Sequence, residues 1–394
     1  MRLLLVSPFV PDRNARHGGG SYLGNLCEAL AEHADLGLCA LTGAEDQPPE
    51  NGSAIQWSWQ AQLPVPERPR QGIPLLGHQL RMAWRWGAQR RPLVAAKYWH
   101  PGMPALLARA CREFQPDAAL VELAQMAQYL PCLRSIPTIL TDHEAGVPAN
   151  AHTNLGSWAD QRDQRLWQTY LRKHYPLAGS VQAVTQEDAD VLEKQLGRNV
   201  TTRLPTIAVP KQPAAPDRAP ARALFLGSYA HAPNPQAAGI LAREVLPRLR
   251  KLLPDAELWF AGHGCERIEE LGATEGVKVC GFVPDLNELY SQVRVMLAPL
   301  YSGGGFRMKS LSALAHGLPV VTNQLGGRGC SAPAPARILA ESADELAAAT
   351  AKLMESKELA RQASETAHRW ALENLEPGVV ARSQIERVRQ LLEG

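Results

Sequence analysis

Between Leu300 and Gly329 the chain sets Gly303, Gly304 and Gly305 just ahead of two cations, Arg307 and Lys309. A buried strand is expected over Val293–Pro299. A helix is then expected to open around Arg307 and close at Gly317, before a further strand starting at Pro319-Val320-Val321. Glycines let backbone N–H groups approach a ligand closely, and a helix N-terminus favours an anion. Cations at that end oppose the helix dipole and need an anion to justify them. The stretch reads as a seat for a phosphate or diphosphate. A second constellation is Asp142-His143-Glu144, three ionisable groups at the carboxyl end of an expected strand over Thr138–Thr141. Ligands in open α/β sheets bind at that edge. The blander reading of these three groups is a polar strand exit or helix cap. A third feature, Gly18-Gly19-Gly20, follows an expected strand over Leu3–Ser7. It is not GxGxxG, and its approach is long for that motif. It reads as a close-approach loop at a ligand cleft, with a helix beginning at Ser21.

The elements that must position these groups alternate between strand and helix patterns, which predicts parallel sheets with crossover helices. At 394 residues, two domains are expected. Further strands are read over Leu36–Leu41, Asp117–Leu123 and Ser180–Val184, with helices over Ser157–His174 and Asp188–Leu196. Residues Gln47–Pro74 read as an irregular excursion. Pro205–Pro220, with five prolines among alanines and charges, has linker composition. After it a fresh pattern begins: strand Ala223–Leu226, helix Pro235–Leu253, strands Glu257–Ala261 and Val277–Cys280, helix Leu286–Gln292. This gives an N-terminal domain over 1–205, a linker over 206–220 and a C-terminal domain over 221–375. A last helix, from about 376–394, is expected to cross back to the first domain. A cleft between two such halves would enclose a substrate.

Composition narrows the function classes. The charge is +2, from 41 basic and 39 acidic residues, which excludes the strong basic excess of a nucleic-acid binder. Seven cysteines without a CxxC pair argue for reduced thiols in a cytosolic protein rather than disulfides or zinc. The apolar start, Met1 to Pro8, is far shorter than a signal-peptide core, and no run is long enough to span a membrane. The expected location is cytoplasmic. One segment, 67–97, carries seven basic residues against one acid, Glu67, around an amphipathic helix expected over Leu75–Gln89. It suits peripheral contact with anionic lipid at the inner face of a membrane, or with an anionic acceptor. The alternative is an ordinary surface helix that packs its Leu and Trp inward.

Taken together, the two glycine-bearing halves and the run Gly-Gly-Gly-Phe-Arg-Met-Lys-Ser-Leu-Ser-Ala-Leu-Ala-His-Gly-Leu-Pro-Val-Val resemble a GT-B glycosyltransferase of family 4. Phe225-Leu226-Gly227-Ser228, Pro233-Asn234-Pro235, Gly281-Phe282-Val283-Pro284-Asp285, Ala298-Pro299-Leu300 and Gly326-Gly327-Arg328-Gly329 fall in family order. The likeness spans almost the whole chain and is strongest over Ala223–Gly329. It implies two Rossmann-like domains facing a central cleft and retaining transfer from a nucleotide sugar, UDP- or GDP-linked, to a hydroxyl acceptor. The acceptor would be a growing surface polysaccharide, a lipid-linked sugar or a small natural product. No metal or other cofactor is implied, because protein cations and helix ends balance the leaving diphosphate. By position, Arg307 and Lys309 would hold that diphosphate beside the N–H groups of Gly304, Gly305 and Phe306. Gly227 and Ser228 would lie beside the donor, Phe282 and Val283 at the base, and Gly19 and Gly20 over the phosphates. His143, with Asp142 and Glu144, would sit near the transferred sugar, and Glu122 is a weaker candidate.

The sequence departs from this family at two places. Many members carry two glutamates with seven residues between them, where this chain has Gly304 and Ser312. The second glutamate accepts both ribose hydroxyls; a serine offers less acceptor capacity and no charge. Basic residues that relatives carry after the first C-domain strand are replaced by Ser228 and Asn234, which concentrates the phosphate charge on Arg307 and Lys309. The missing carboxylates motivate a second reading, a transferase-like partner or scaffold subunit without turnover. A sugar-nucleotide hydrolase or epimerase on the same fold fits the Arg/Lys pair poorly.

Overall fold

The computed structural model describes residues 1–15, 18–43, 55–65, 69, 71–144, 156–303 and 307–393. The chain divides into two compact units, Met1–Thr206 with Pro377–Gly394, and Ile207–Glu376.

The first unit holds a seven-stranded, wholly parallel sheet in the order β3-β2-β1-β4-β5-β6-β7. The strands are β1 (Arg2–Ser7), β2 (Asp35–Thr42), β3 (Trp59–Pro64), β4 (Ala118–Glu122), β5 (Thr138–Asp142), β6 (Ser180–Ala183) and β7 (Thr201–Thr202). Leu3, Leu4, Leu5 and Val6 of β1 pair with β2 on one side and β4 on the other, and all four are buried. A parallel sheet is covered on both faces, so its inner strands read as continuous apolar runs. The described helices are α1 (Gly18–Leu30), α2 (Gly72–Gly87), α3 (Leu93–Lys97), α4 (Met103–Glu113), α5 (Ser157–His174) and α6 (Gln186–Leu196), with a 3-10 stretch over Ala124–Leu133. The terminal helix, Pro377–Glu393, packs on α1 and clusters with this unit.

Two expectations are corrected here. Gln47–Pro74 contains β3, whose residues alternate half-buried and exposed, as an edge strand's do. The glycine triplet is not a loop either, because Gly18, Gly19 and Gly20 form the first turn of α1. The chain before it closes on the helix. A Cβ on Gly24 would lie 2.1 Å from the Arg13 backbone nitrogen, so only glycine lets the 12–13 backbone cross there.

The second unit repeats the plan with a six-stranded parallel sheet, β10-β9-β8-β11-β12-β13. Its strands are β8 (Arg222–Leu226), β9 (Glu257–Ala261), β10 (Val277–Gly281), β11 (Val295–Leu297), β12 (Val320–Thr322) and β13 (Arg337–Leu339). The single helix expected over Pro235–Leu253 is broken into α7 (Pro233–Ile240), a π turn over Leu241–Val245, and α8 (Leu246–Leu252). Pro247 explains the break, since it has no N–H to donate to the preceding turn. The remaining helices used below are α9 (Leu286–Ser291), α10 (Met308–Ala315), α11 (Ala343–Glu355), α12 (Lys357–Asn374) and α13 (Pro377–Glu393).

The proline-rich stretch is not a free linker. From Ile207 onward it clusters with the second unit. His368 Nε2 donates to the Pro210 carbonyl at 2.7 Å, Ser364 Oγ to Ala214 at 3.0 Å, and Arg294 Nε to Pro216 at 3.0 Å. Prolines supply carbonyls but no N–H groups, so these side chains add to the backbone bonds that Ile207 and Ala214 donate to Leu375 and His316.

Candidate active site

In both sheets the strand order reverses beside the first strand, at β1/β4 and at β8/β11. Open α/β sheets bind ligands at the carboxyl edge of such a switch point. Each unit carries candidate residues there, Glu122 at β1/β4 in the first and Gly227, Ser228 and Arg307 after β8/β11 in the second. Asp142–Glu144 lie instead at the end of the neighbouring β5, and Phe282 follows the edge strand β10.

In the second unit, β8 ends at Gly227 and Ser228, and the chain after β11 runs to Gly303 and then Arg307, the N-cap of α10. Gly262 has φ +117, and a Cβ on it would lie 2.0 Å from the Gly227 carbonyl oxygen. Glycine there lets the turns after β8 and β9 touch. Asn234, in the first turn of α7, ties the site together. Its Nδ2 donates to the Ser228 carbonyl at 2.8 Å, and its Oδ1 accepts from Lys309 Nζ at 2.5 Å. Lys309 also stands 4.2 Å from the ring centre of Phe225. Burial, then the neighbouring Arg307 charge, push its ammonium down to about 7. Arg307 is 5% exposed and donates from Nη2 to the Gly303 carbonyl at 3.0 Å and from Nε to Leu325 at 3.2 Å. Phe282 stands 70% exposed just beyond β10, with Val283 half-buried beside it. Ser312 lies one turn into α10, and its Oγ accepts from Tyr290 at 3.1 Å. Gly304, Gly305 and Phe306 lie outside the described residues.

In the first unit, Glu122 ends β4 with no exposed surface. Arg203 forks onto it, Nη1 to Oε1 at 2.9 Å and Nη2 to Oε2 at 2.8 Å, and Nη2 also donates to the Tyr22 hydroxyl. His143 Nε2 meets Glu122 Oε2 at 3.1 Å, and Tyr22 and His143 have ring centres 5.5 Å apart. Burial pushes the Glu122 carboxyl up, but Arg203 and the His143 hydrogen bond outweigh it and hold the group at about 2. An ionised carboxylate only accepts, so Nε2 carries the imidazole proton. Asp142 is equally buried. It accepts from the Tyr175 hydroxyl at 2.6 Å and the Glu144 N–H at 2.9 Å, and burial raises it to about 6.

Asp142, His143 and Glu144 line a cavity of about 1110 Å³ together with His78, Arg81 and Arg85 of α2. Glu122 does not line this cavity and instead holds His143, while Asp142 lines it and pins the strand exit. Gly19 and Gly20 lie in the first turn of α1 rather than in a loop. Sequence reasoning missed Arg203, Tyr22 and Tyr290, and marked Asn234 only as standing where relatives carry a basic residue. Glu122 closing the run Ala118-Ala119-Leu120-Val121 was the available signal, because a carboxylate so buried needs a cation.

The model of the family Glycosyl transferases group 1 matches residues 220–356. No curated protein sequence matches the chain. Among solved structures, sucrose-phosphate synthase from Thermosynechococcus elongatus is 17% identical, with a TM-score of 0.67 and 100% of both chains covered. Anabaena HepE in complex with UDP is 14% identical, with a TM-score of 0.66 and 99% of this chain and 100% of that one covered. An α,α-trehalose-phosphate synthase (UDP-forming) from Burkholderia vietnamiensis is 12% identical, with a TM-score of 0.64 and 99% and 100% covered. The chain thus carries a Glycosyl transferases group 1 domain over 220–356 within the two-unit α/β fold of GT-B glycosyltransferase structures.

Proposed function

We propose that this protein moves a sugar from a nucleotide-sugar donor to a hydroxyl acceptor with retention of anomeric configuration, as a family 4 transferase would. One observation carries the reading. At the switch point of the second sheet, a lysine pushed down to about 7 sits beside a buried arginine at the start of α10. That arrangement is costly without an anion, and a nucleoside diphosphate supplies one. The group 1 match covers these residues, and HepE was solved with UDP.

In this reading Arg307 and Lys309 take up the charge that develops on the leaving diphosphate. The bond from the anomeric carbon to the diphosphate oxygen breaks, and a bond to the acceptor oxygen forms on the same face. The acceptor proton passes to the leaving diphosphate, so no protein base is required. Phe282 offers an exposed ring for the base to stack on. His143, its proton fixed on Nε2 by Glu122, orients the sugar or acceptor from the first unit's cavity.

Calorimetric titration with UDP- and GDP-sugars tests the donor site. One of them should bind, with uptake of up to about one proton. The sign follows from Lys309. It titrates near 7 in the free protein, and a bound anion raises that value, so affinity should fall as pH rises above 7, by at most about tenfold per pH unit. Absence of binding by every donor would sink the transfer reading. It would favour the scaffold alternative, to which the Tyr290 hydrogen bond on Ser312 already lends weight. For His143→Ala, turnover should drop about 100-fold or more while donor affinity stays within about threefold. Equal loss of both would remove His143 from the reaction.

A further inference from the structure

The amphipathic helix expected from the sequence exists as α2, but it turns only part of its apolar surface, Leu75, Met82 and Trp86, inward. Ile73, Leu76, Leu80 and Trp84 recur at helical spacing and are between 56% and 86% exposed. No residue of α2 is buried, and Trp158 at the start of α5 is 67% exposed next to it, its ring centre 5.9 Å from that of Trp86. The helix is nonetheless held firmly from its inner side. Trp86 Nε1 donates to buried Asp163 at 2.8 Å, Arg162 stacks on Trp86 at 4.5 Å, and Arg85 donates to the Ala96 carbonyl at 2.9 Å. The apolar ridge is therefore an outward face of a fixed element.

Charge decides what covers it. No acidic residue occurs between Glu67 and Glu113, while Arg81, Arg85, Arg90, Arg91 and Lys97 lie in that interval. Of these, Arg81, Arg90 and Lys97 are exposed. Among the described acids placed against α2, Asp163 is buried and hydrogen-bonded to Trp86, and Asp142 and Glu144 line the cavity that α2 helps to wall. A stable protein interface takes roughly 20–30 residues a side, far more than one ridge of five side chains. A ridge of Ile, Leu and Trp beside basic groups is what lies flat in the headgroup region of a bilayer, with Trp at the interface.

We propose that α2 and Trp158 dock this protein on a bilayer rich in anionic lipids, with the ridge entering the acyl boundary and Arg81 and Lys97 meeting lipid phosphates. The same helix lines the His143 cavity with His78, Met82 and Arg85, and Arg81 and Lys97 stand at the border of that cavity. The acceptor would then be a membrane-borne, hydroxyl-bearing amphiphile, and that half of the inference rests on the transfer reading.

Flotation of the full chain tests the docking without any turnover. Vesicles of phosphatidylcholine alone are compared with equal parts phosphatidylcholine and phosphatidylglycerol. The chain should float with the anionic vesicles only, and less at high salt. Leu76→Ser/Leu80→Ser/Trp84→Ser should lower the partition by roughly tenfold or more. Arg81→Glu/Lys97→Glu should lower it to a similar degree and flatten its salt dependence. The triple variant should keep its circular dichroism spectrum, because every replaced side chain is exposed. Wild-type chain that stays at the bottom with both vesicles overturns the proposal, as does a triple variant that floats undiminished. If wild type dimerises on gel filtration, fails to float, and the triple variant is monomeric, the ridge binds a second copy instead. Flotation without donor binding supports docking while removing the transfer reading, so the two fail separately.

Discussion

Arg307→Ala is expected to weaken nucleoside-diphosphate binding by about 100- to 1,000-fold, read by calorimetry with UDP and with whichever nucleotide sugar binds wild type. The figure follows from two charge-assisted hydrogen bonds of roughly 1.5–3 kcal/mol each, partly offset by the desolvation already present in the free site. Arg307 has two tasks in the structure. It sits at the N-cap of α10, and it holds the carbonyls of Gly303 and Leu325. The loss therefore combines a missing charge with a loosened approach to the helix. Arg307→Lys separates them, since lysine keeps the charge but has no planar fork. It should recover part of the affinity and little of the loop geometry. Lys309→Ala should cost less near pH 8 than near pH 6, because its ammonium is already largely neutral at the higher pH. Affinity of Arg307→Ala within about threefold of wild type would take the donor away from this helix end, whatever the fold resemblance.

The donor side was readable because its residues are close in sequence. Gly303, Arg307 and Lys309 fall within one strand-to-helix turn, and strand and helix periodicities on either side are strong. What escaped were contacts made across long separations. Asn234 answers Lys309 from 75 residues away, and Tyr290 reaches Ser312 from 22. Neither pairing has a local pattern. The chain's first glycine triplet misled for a different reason. Glycine permits a loop without requiring one, and packing of α1 against the 12–13 backbone draws the triplet into the helix. On α2 the sequence showed an amphipathic helix but left open whether its apolar residues pack inward or face out. Its tie to Asp163 through Trp86, which turns one face inward, lies 77 residues away. The edge strand β3 was legible in its alternation, but proline and glutamine content argued for an excursion.

The largest effect on stability should come from Arg203→Ala, about 3–5 kcal/mol by urea denaturation at neutral pH. Arg203 and Glu122 are 5% and 0% exposed, 81 residues apart in sequence, and joined by two hydrogen bonds. Removing the guanidinium leaves a buried carboxylate with His143 as its nearest remaining support, and frees the Tyr22 hydroxyl from its donor. The pH dependence identifies the cause. In wild type Glu122 is held at about 2 against an ordinary value near 4.5. Its contribution is therefore complete above about 4.5 and is lost as pH falls toward 2. In Arg203→Ala, burial acts on the carboxyl with its main opponent gone and raises it, so the folded state prefers the protonated form. The variant should gain stability relative to wild type as pH falls, the reverse of a simple packing defect. Arg203→Met/Glu122→Gln should restore much of the loss, since it removes both charges at nearly constant volume. That double variant should still turn over poorly, because a glutamine amide no longer fixes the His143 proton on Nε2. Stability regained with activity regained would mean that Glu122 serves only the fold. Stability regained with turnover still depressed would tie the buried pair to the orientation of His143.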